Sequence, residues 1–139
     1  MDRSPEYAAT LLAKARGDSR ICQTLIGDPD SPQWGIGFHA QQAVEKAIKS
    51  VLCAKGVLYP LTHDLARLCG LLRKEGIAPP PHSEQLRRLN RYAVLFRYEH
   101  VQDDELGLRL DRSWVRSVLQ DVLDWAEPMV PPERKSPEP

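Results

Sequence analysis

The sequence predicts an all-α protein, folded as an antiparallel up-and-down four-helix bundle with an additional short helix. Three observations lead to this fold class. Apolar residues recur at steps of three and four in segment after segment, which is the spacing of an amphipathic helix. Proline and glycine separate the segments, and none shows the alternation of a strand. The connections are short, so antiparallel packing of neighbours is the simplest arrangement.

The first two predicted helices are the longest. Helix one follows the Ser4-Pro5 pair, a capping residue before a first-turn proline, and ends at Gly27. Helix two follows a second such pair, Ser31-Pro32, and ends at Gly56. Helix two has the best defined apolar stripe, which consists of Ile36, Ala40, Ala43, Val44, Ala47, Ile48, Val51 and Leu52.

Two shorter helices are predicted next. Thr62 is the expected cap of helix three, in which Asp64 complements the helix dipole and which ends at Gly76. The proline run 79–81 excludes helix, and Ser83 is the expected cap of helix four. The apolar side of helix four consists of Leu86, Leu89, Tyr92 and Ala93.

The rest of the chain predicts a loop, a last helix and a tail. Residues 96–110 lose the helical period and gain acidic residues, which is typical of a loop. The last helix begins near Asp111 or Ser113. We therefore expect one helical domain over residues 1–128 and a disordered tail over residues 129–139, where prolines and charges predominate.

Length and composition exclude several classes of protein. A chain of 139 residues is one domain, too short for an enzyme with a separate cofactor module. Nineteen basic and nineteen acidic residues give a net charge of zero, which argues against a generic polybasic nucleic-acid binder. The three cysteines form no CxxC pair, and no segment resembles a secretory signal or a membrane span. We expect a cytoplasmic protein without a membrane segment.

Helix two carries the most suggestive polar set. At 100° per residue, His39, Gln42, Lys46 and Lys49 share one sector opposite the apolar stripe, and Glu45 lies at its edge. A solvated face is the more common meaning of such a set. The amide and imidazole groups are also suited to hydrogen bonding with a ligand or a partner.

One segment combines basic and aromatic residues, as phosphate contact and base stacking require. Arg97 and His100 lie close enough in sequence to converge on one phosphate, where histidine transfers protons and arginine stabilises charge. Alternatively, the aromatic residues pack in the core and the arginines are solvated or pair with the acidic run 103–105. The segment contains Arg87, Arg88, Arg91, Tyr92, Phe96, Arg97 and Tyr98.

The remaining candidate motifs predict little chemistry. His63 and Asp64 are adjacent at a helix start and do not face each other as a catalytic base and its orienting acid must, although His63 can line a site. The four histidines are scattered without metal-ligand spacing, so we expect no metal and no cofactor. A glycine-rich phosphate loop and a GxSxG motif are both absent from the sequence.

Three motifs together resemble the HEPN domain family. They are the stretch from Phe38 to Lys49 (FHAQQAVEKAIK), then Thr62 to Leu65 (THDL), then Leu95 to Tyr98 (LFRY). The resemblance implies a bundle of four to five helices, homodimers, and frequent partnership with a minimal nucleotidyltransferase in toxin-antitoxin pairs. It also implies nucleotide binding or metal-independent RNA cleavage.

The resemblance is incomplete at the ribonuclease motif, an arginine followed after four to six residues by a histidine. Arg97 matches the arginine, but residues 102–104 are Gln, Asp and Asp, and His100 comes too early. We therefore expect a nucleotide-binding or interaction subunit with a nucleotidyltransferase partner. The alternatives are a ribonuclease toxin that uses Arg97 and His100, and a non-catalytic dimeric scaffold. The residues expected to bind the nucleotide or partner are His39, Gln42, Lys46, His63, Arg97 and Tyr98.

Overall fold

A computed structural model describes residues 4–95 and 110–133, and every regular element in these two ranges is helical. The all-α prediction is confirmed. The α-helices are α1 (Ala8–Ile26), α2 (Gln33–Ala54), α3 (Leu65–Lys74), α4 (Tyr92–Leu95) and α5 (Arg112–Ala126). Short 3-10 helices cover Pro5–Tyr7, Leu86–Leu89 and Glu127–Met129. The predicted loop 96–110 lies outside the described residues except at Leu110.

The two longest helices pack against each other in opposite directions, as predicted. Cys22 of α1 donates a hydrogen bond to the Ile36 carbonyl of α2 at 3.3 Å. One turn earlier on α1, Asp18 contacts His39, which lies one turn later on α2. Because the paired residues run in opposite order, the helices are antiparallel, and the six-residue connection between them is short enough to require this.

Helix α2 is the centre of the bundle. It contacts α1, α3, α4 and α5, and most of its residues are buried whatever their direction around the helix axis. A helix surrounded on nearly all sides has no wide solvated face. The polar residues of α2 must therefore find partners inside the protein.

The close approach of α4 to α2 depends on a glycine. A Cβ atom placed on Gly37 would lie 2.3 Å from ring atoms of Tyr92, well inside van der Waals contact. Tyr92 is only 3% exposed and belongs to the core. Gly37 therefore allows the Tyr92 ring to lie directly on the backbone of α2.

The helix caps differ in part from the prediction. Asp64, not Thr62, caps α3 by accepting hydrogen bonds from the amides of residues 66 and 67. The Thr62 hydroxyl instead accepts from the Asp64 amide. Asp111 caps α5, as one of the two predictions had it. Pro32 occupies the cap position of α2, so the predicted cap by Ser31 is wrong.

The predicted helix four does not begin at Ser83. The chain there forms turns and the 3-10 helix Leu86–Leu89, and α4 begins only at Tyr92. His82, the residue before the predicted cap, adopts a left-handed conformation with φ of 65°, and residues 83–85 continue as turns. Leu86, Leu89 and Tyr92 are spaced by three, which is the period of a 3-10 helix, so their burial does not require an α-helix.

Arg112 connects α5 to the end of α1. Its guanidinium donates to the backbone carbonyls of Leu25, Ile26, Asp28 and Ser31 at 2.8 to 3.4 Å. The last carbonyls of a helix lack partners within the helix. Arg112 supplies those partners and also places a positive charge at the negative end of the α1 dipole.

The chain contacts the core as far as Val130. Met129 and Val130 pack against the core, two residues past the predicted boundary at 128. Residues 134–139 of the predicted tail lie outside the described residues, and the boundary itself stays a prediction.

Candidate functional site

The site is built on one side of α2, and we call it the α2 arc. Around the helix axis its residues follow one another over about 160° at 100° per residue. In that order they are Gln41, Glu45, Lys49, Gln42, Lys46 and His39. All four members of the predicted polar sector belong to the arc, together with Glu45 and Gln41. The arc has two halves, each organised by one carboxylate.

Glu45 organises the first half. It is 5% exposed, and its carboxylate accepts hydrogen bonds from Gln41 at 2.9 Å and from Lys49 at 3.0 Å. His63 Nδ1 lies 2.7 Å from the same carboxylate. A buried carboxylate needs several donors to replace its hydration. These three side chains provide them, and Glu45 is thereby fixed in place.

His63 brings the loop before α3 onto the arc. Its side chain is 63% exposed, although its Nδ1 faces the buried Glu45. Gln41 holds the same loop by donating to the His63 carbonyl at 3.2 Å. Since a carboxylate only accepts, Nδ1 carries the proton in this contact and Nε2 of the neutral ring is an acceptor. The site thus contains an exposed imidazole with a fixed orientation.

Asp18 of α1 organises the second half. It accepts from Lys46 Nζ at 2.5 Å and lies 3.1 Å from His39 Nδ1. The Lys46 and His39 side chains are 27% and 26% exposed. His39 also packs edge to face against Phe38, with ring centroids 5.2 Å apart. The Lys46 and His39 side chains are therefore held in place by Asp18, and part of each is exposed at the surface.

The interpretation of this face as solvated is wrong. Lys49 is only 7% exposed, with its ammonium paired to Glu45 and 5.6 Å from the centroid of the Tyr59 ring. The two lysines of the arc are balanced by Glu45 and by Asp18 of α1, so the arc and its support carry no net charge from these four groups. Gln42 lies between the halves, half-buried, and donates to the Gln41 side chain at 2.7 Å. The arc therefore presents amide and imidazole groups without a net charge.

Two of the cysteines, Cys22 and Cys69, are poorly suited to act as nucleophiles. Burial, with a smaller contribution from Asp18, raises the pKa of the Cys22 thiol to about 12. Burial also raises the pKa of Cys69, against the opposing effect of Arg73. All three cysteines are free and buried. Because the thiolate is the reactive form, thiol chemistry at neutral pH is not supported at Cys22 or Cys69.

The structure describes some of the predicted site residues and not others. Arg97, Tyr98 and His100 lie outside the described residues, so the predicted ribonuclease pair stays a prediction. The structure brings His39, Gln42, Lys46 and His63 to the α2 arc and its edge. In the basic and aromatic segment, Tyr92 packs in the core, which is the alternative considered for it. The arginines at 87, 88 and 91 are exposed.

Sequence reasoning missed two carboxylates of the site. Asp18 carried no signal, because a single aspartate on helix one is ordinary. Glu45 was placed at the edge of the polar sector but was given no role. Its position one turn from both Gln41 and Lys49 was the available signal. Within the described ranges, no group of three or more histidine, cysteine or acidic side chains is arranged to hold a metal ion.

The HEPN domain family model matches residues 35–127, which is more than half of the chain. The chain belongs to the HEPN family. Membership supports a general nucleotide- or RNA-related role, and HEPN domains often dimerise. Searches of the curated proteins and of the solved structures find no match to this HEPN chain. Among residues 4–95 and 110–133, none of the helices has the length and apolar character needed to span a membrane.

The matched range includes all six residues of the α2 arc but not its whole support. Residues 35–127 contain the loop with His63, α3 to α5, and all of α2 except its first two residues. Helix α1, which supplies Asp18, precedes the match. Asp18, which organises the second half of the arc, therefore lies outside the matched range.

Proposed function

We propose that this HEPN protein is a cytoplasmic nucleotide-binding or interaction subunit that works as a homodimer with a minimal nucleotidyltransferase partner in a toxin-antitoxin pair. The observation that carries the proposal is the α2 arc with its exposed, oriented His63. Family membership supports the nucleotide-related part of the proposal.

The arc is suited to recognise a nucleotide by hydrogen bonds. His63 Nε2 and the exposed part of Gln42 are directed by buried partners, so little freedom is lost when a ligand binds. Hydrogen-bonding groups that are fixed before binding give specificity for a base or sugar. Because the lysines of the arc are already paired, affinity through bulk charge is weak here and hydrogen bonding dominates.

The same surface is suited to a protein partner. Leu58 and Leu61 are largely exposed in the loop that carries His63. Exposed apolar side chains beside polar groups are typical of protein interfaces. An interface over this loop would place the partner next to the nucleotide site.

Calorimetric titration of the full chain with ATP and the other nucleoside triphosphates tests nucleotide binding. We expect binding that His63→Ala and Gln42→Ala each weaken about 5- to 10-fold, the effect of losing one hydrogen bond of ~1 to 1.5 kcal/mol. His82→Ala is the matched control, because it removes an imidazole that pairs with a different carboxylate, Asp121, at 2.8 Å. Equal weakening by the control would contradict a site at the arc.

Mixing with the product of a neighbouring nucleotidyltransferase gene tests the partnership. We expect a complex on size-exclusion chromatography with light scattering, and a dimer for the chain alone. Leu61→Asp should prevent the complex, because the charge would be buried in the interface. A protein that binds neither the partner nor any nucleotide would remove the proposal.

A second candidate function is metal-independent RNA cleavage, and one observation favours it. The His63 imidazole, oriented through Nδ1 by Glu45, has the arrangement of a general acid or base. Incubation of RNA with the protein in EDTA tests this function. Cleavage lost in both His63→Ala and His100→Ala would indicate a ribonuclease, whereas cleavage that His63→Ala leaves unchanged would exclude His63 from the reaction.

A further inference from the structure

A second surface lies between α3 and the segment that precedes α4. It is a cavity of about 440 Å³ lined by Ala66, Cys69, Arg73, Ser83, Glu84 and Arg87. We propose that this cavity binds a phosphate group of a nucleotide or of an RNA backbone. None of its lining residues belongs to the α2 arc, so the proposal is separate from the function proposed above.

The lining residues place two guanidinium groups at one cavity. On α3, Ala66, Cys69 and Arg73 are spaced by three and four and share one side of the helix. Arg87 comes from the 3-10 helix on the other side. Guanidinium groups offer planar pairs of donors that match phosphate oxygens. Two of them from separate elements can contact one phosphate from two directions.

Ser83 holds one of these arginines in position. Arg73 donates to the Ser83 hydroxyl oxygen at 3.2 Å, across the cavity from α3. The hydroxyl hydrogen of Ser83 remains able to donate to a ligand, since the oxygen is the acceptor in this contact. Cys69 lines the cavity and is buried, whereas Arg73 and Arg87 are exposed. The two guanidinium groups are therefore accessible to an anion that enters the cavity from solvent.

The charge of this region also favours an anion. Although the whole chain is neutral, residues 64–91 contain six basic and three acidic residues. Asp64 is one of the three, and its carboxylate already accepts from two helix amides and from Asn90. Glu84 is the acidic residue that lines the cavity. The basic residues are Arg67, Arg73, Lys74, Arg87, Arg88 and Arg91.

Binding of a labelled single-stranded RNA, measured by fluorescence anisotropy at several salt concentrations, tests the proposal. The variants Arg73→Ala and Arg87→Ala remove the cavity arginines. Their matched controls, Lys74→Ala and Arg88→Ala, remove the adjacent charges that do not line the cavity. All four side chains are exposed, so circular dichroism should show an unchanged fold.

We expect the double variant of Arg73 and Arg87 to bind RNA at least 10-fold more weakly, and the double control to lose less than 3-fold. The slope of log K against log salt should fall by about 0.7 in the double variant, because the two arginines contact one phosphate and each phosphate contact on a single strand contributes about 0.7. Glu84→Gln should tighten binding by removing a repulsive charge. Equal losses in the two double variants would overturn the proposal and indicate diffuse attraction.

Competition distinguishes the two sources of phosphate. Displacement of RNA by ATP and by inorganic pyrophosphate would show that the cavity takes a terminal phosphate. RNA binding that depends on the arginines but resists both competitors would show that it takes the RNA backbone. The proposal fails if neither RNA nor ATP binds in an Arg73- and Arg87-dependent way. A failure of the α2 arc would appear separately, in the His63→Ala and Gln42→Ala titrations.

Discussion

Replacement of Arg112 by alanine should destabilise the protein more than the same replacement of Arg116, the other arginine of α5. The guanidinium makes contacts to four carbonyls, and those at 3.0 Å to Ile26 and 3.1 Å to Ser31 are partly buried. The contact to Leu25 is long, at 3.4 Å, and the Asp28 carbonyl can return to water when the arginine is removed. The loss should therefore come mainly from two carbonyls.

The magnitude follows from these two bonds and the helix dipole. Each bond to a charged donor contributes about 1.5 kcal/mol at the low end of the usual range. Removal of a cation from a helix C-terminus costs a further ~0.3 to 1 kcal/mol. We expect Arg112→Ala to lower the free energy of unfolding by about 3.5 kcal/mol, since two bonds and one dipole contact are lost.

Urea unfolding followed by circular dichroism measures this change. With a slope of about 2 kcal/mol/M, the midpoint should fall by roughly 1.8 M. Arg112→Lys should keep about half of the stability, because a single ammonium cannot reach carbonyls that lie on both sides of the guanidinium fork. Arg116→Ala, on an exposed position one turn later, is the control and should change the free energy by less than ~0.5 kcal/mol. If Arg112→Ala behaved like this control, the carbonyl contacts would not be what connects α5 to α1.

Three further changes test other parts of the structure. Gly37→Ala should lower the free energy of unfolding in urea by about 3 kcal/mol, because the new Cβ would overlap the Tyr92 ring. The control Gly17→Ala, whose Cβ would meet nothing within 4 Å, should raise the free energy of unfolding by about 0.5 to 1 kcal/mol. Similar effects of the two substitutions would contradict the close approach of Tyr92 to α2. Burial raises the pKa of the Cys22 thiol from 9.0 to about 12 in the folded protein. Between these two values only the unfolded chain loses the proton. The contribution of Cys22 to the free energy of unfolding is therefore intact below pH 9 and falls by ~1.4 kcal/mol per pH unit above it. The unfolding free energy of Cys22→Ala, measured from pH 8 to 10.5, should therefore fall less steeply than that of the wild type, and parallel curves would refute this. Asp64→Ala should cost about 1 to 2 kcal/mol and accelerate amide exchange at the start of α3, and unchanged exchange would show that the cap is dispensable.

Local signals were sufficient to predict α1, α2, α3 and α5. Each has apolar residues at helical spacing and is followed within two residues by a glycine or proline, and these features act within one or two turns. Gly56 and Gly76 have positive φ values of 70° and 73°, as expected for residues just past a helix. The Asp111 cap was likewise readable, because an N-cap aspartate accepts from amides two and three residues later, so the signal is local.

The segment before α4 was not predictable in the same way. Spacing by three fits both a 3-10 helix and an α-helix, and contacts far apart in sequence decide between them here. The Trp114 indole donates to Gln85 at 3.2 Å, and the Trp125 indole donates to the Ala78 carbonyl at 3.0 Å. Asn90 accepts from the Leu65 amide at 2.9 Å. These contacts hold the segment in an irregular path that its own sequence does not specify.

The position of Arg112 shows why long-range roles escape sequence reasoning. A cation at the start of α5 is unfavourable for the dipole of its own helix. The charge is instead used at the end of α1, more than 80 residues earlier in the chain. The only signal in the sequence was a positively charged residue at the start of a helix, where the dipole disfavours it. One such arginine is too common to indicate a long-range contact.

The organisation of the α2 arc determines which of its residues can be used to test function. Glu45 accepts from two buried donors, so Glu45→Ala would leave the buried Lys49 ammonium without its carboxylate, would remove one hydrogen bond of Gln41, and would destabilise the protein whatever its function. His63 differs, because most of its side chain is already in water and its replacement leaves Glu45 with two other donors. Loss of nucleotide binding in His63→Ala can therefore be attributed to the site, whereas the same loss in Glu45→Ala cannot. The function of the Glu45–His63 pair should therefore be tested by replacing His63, its exposed residue.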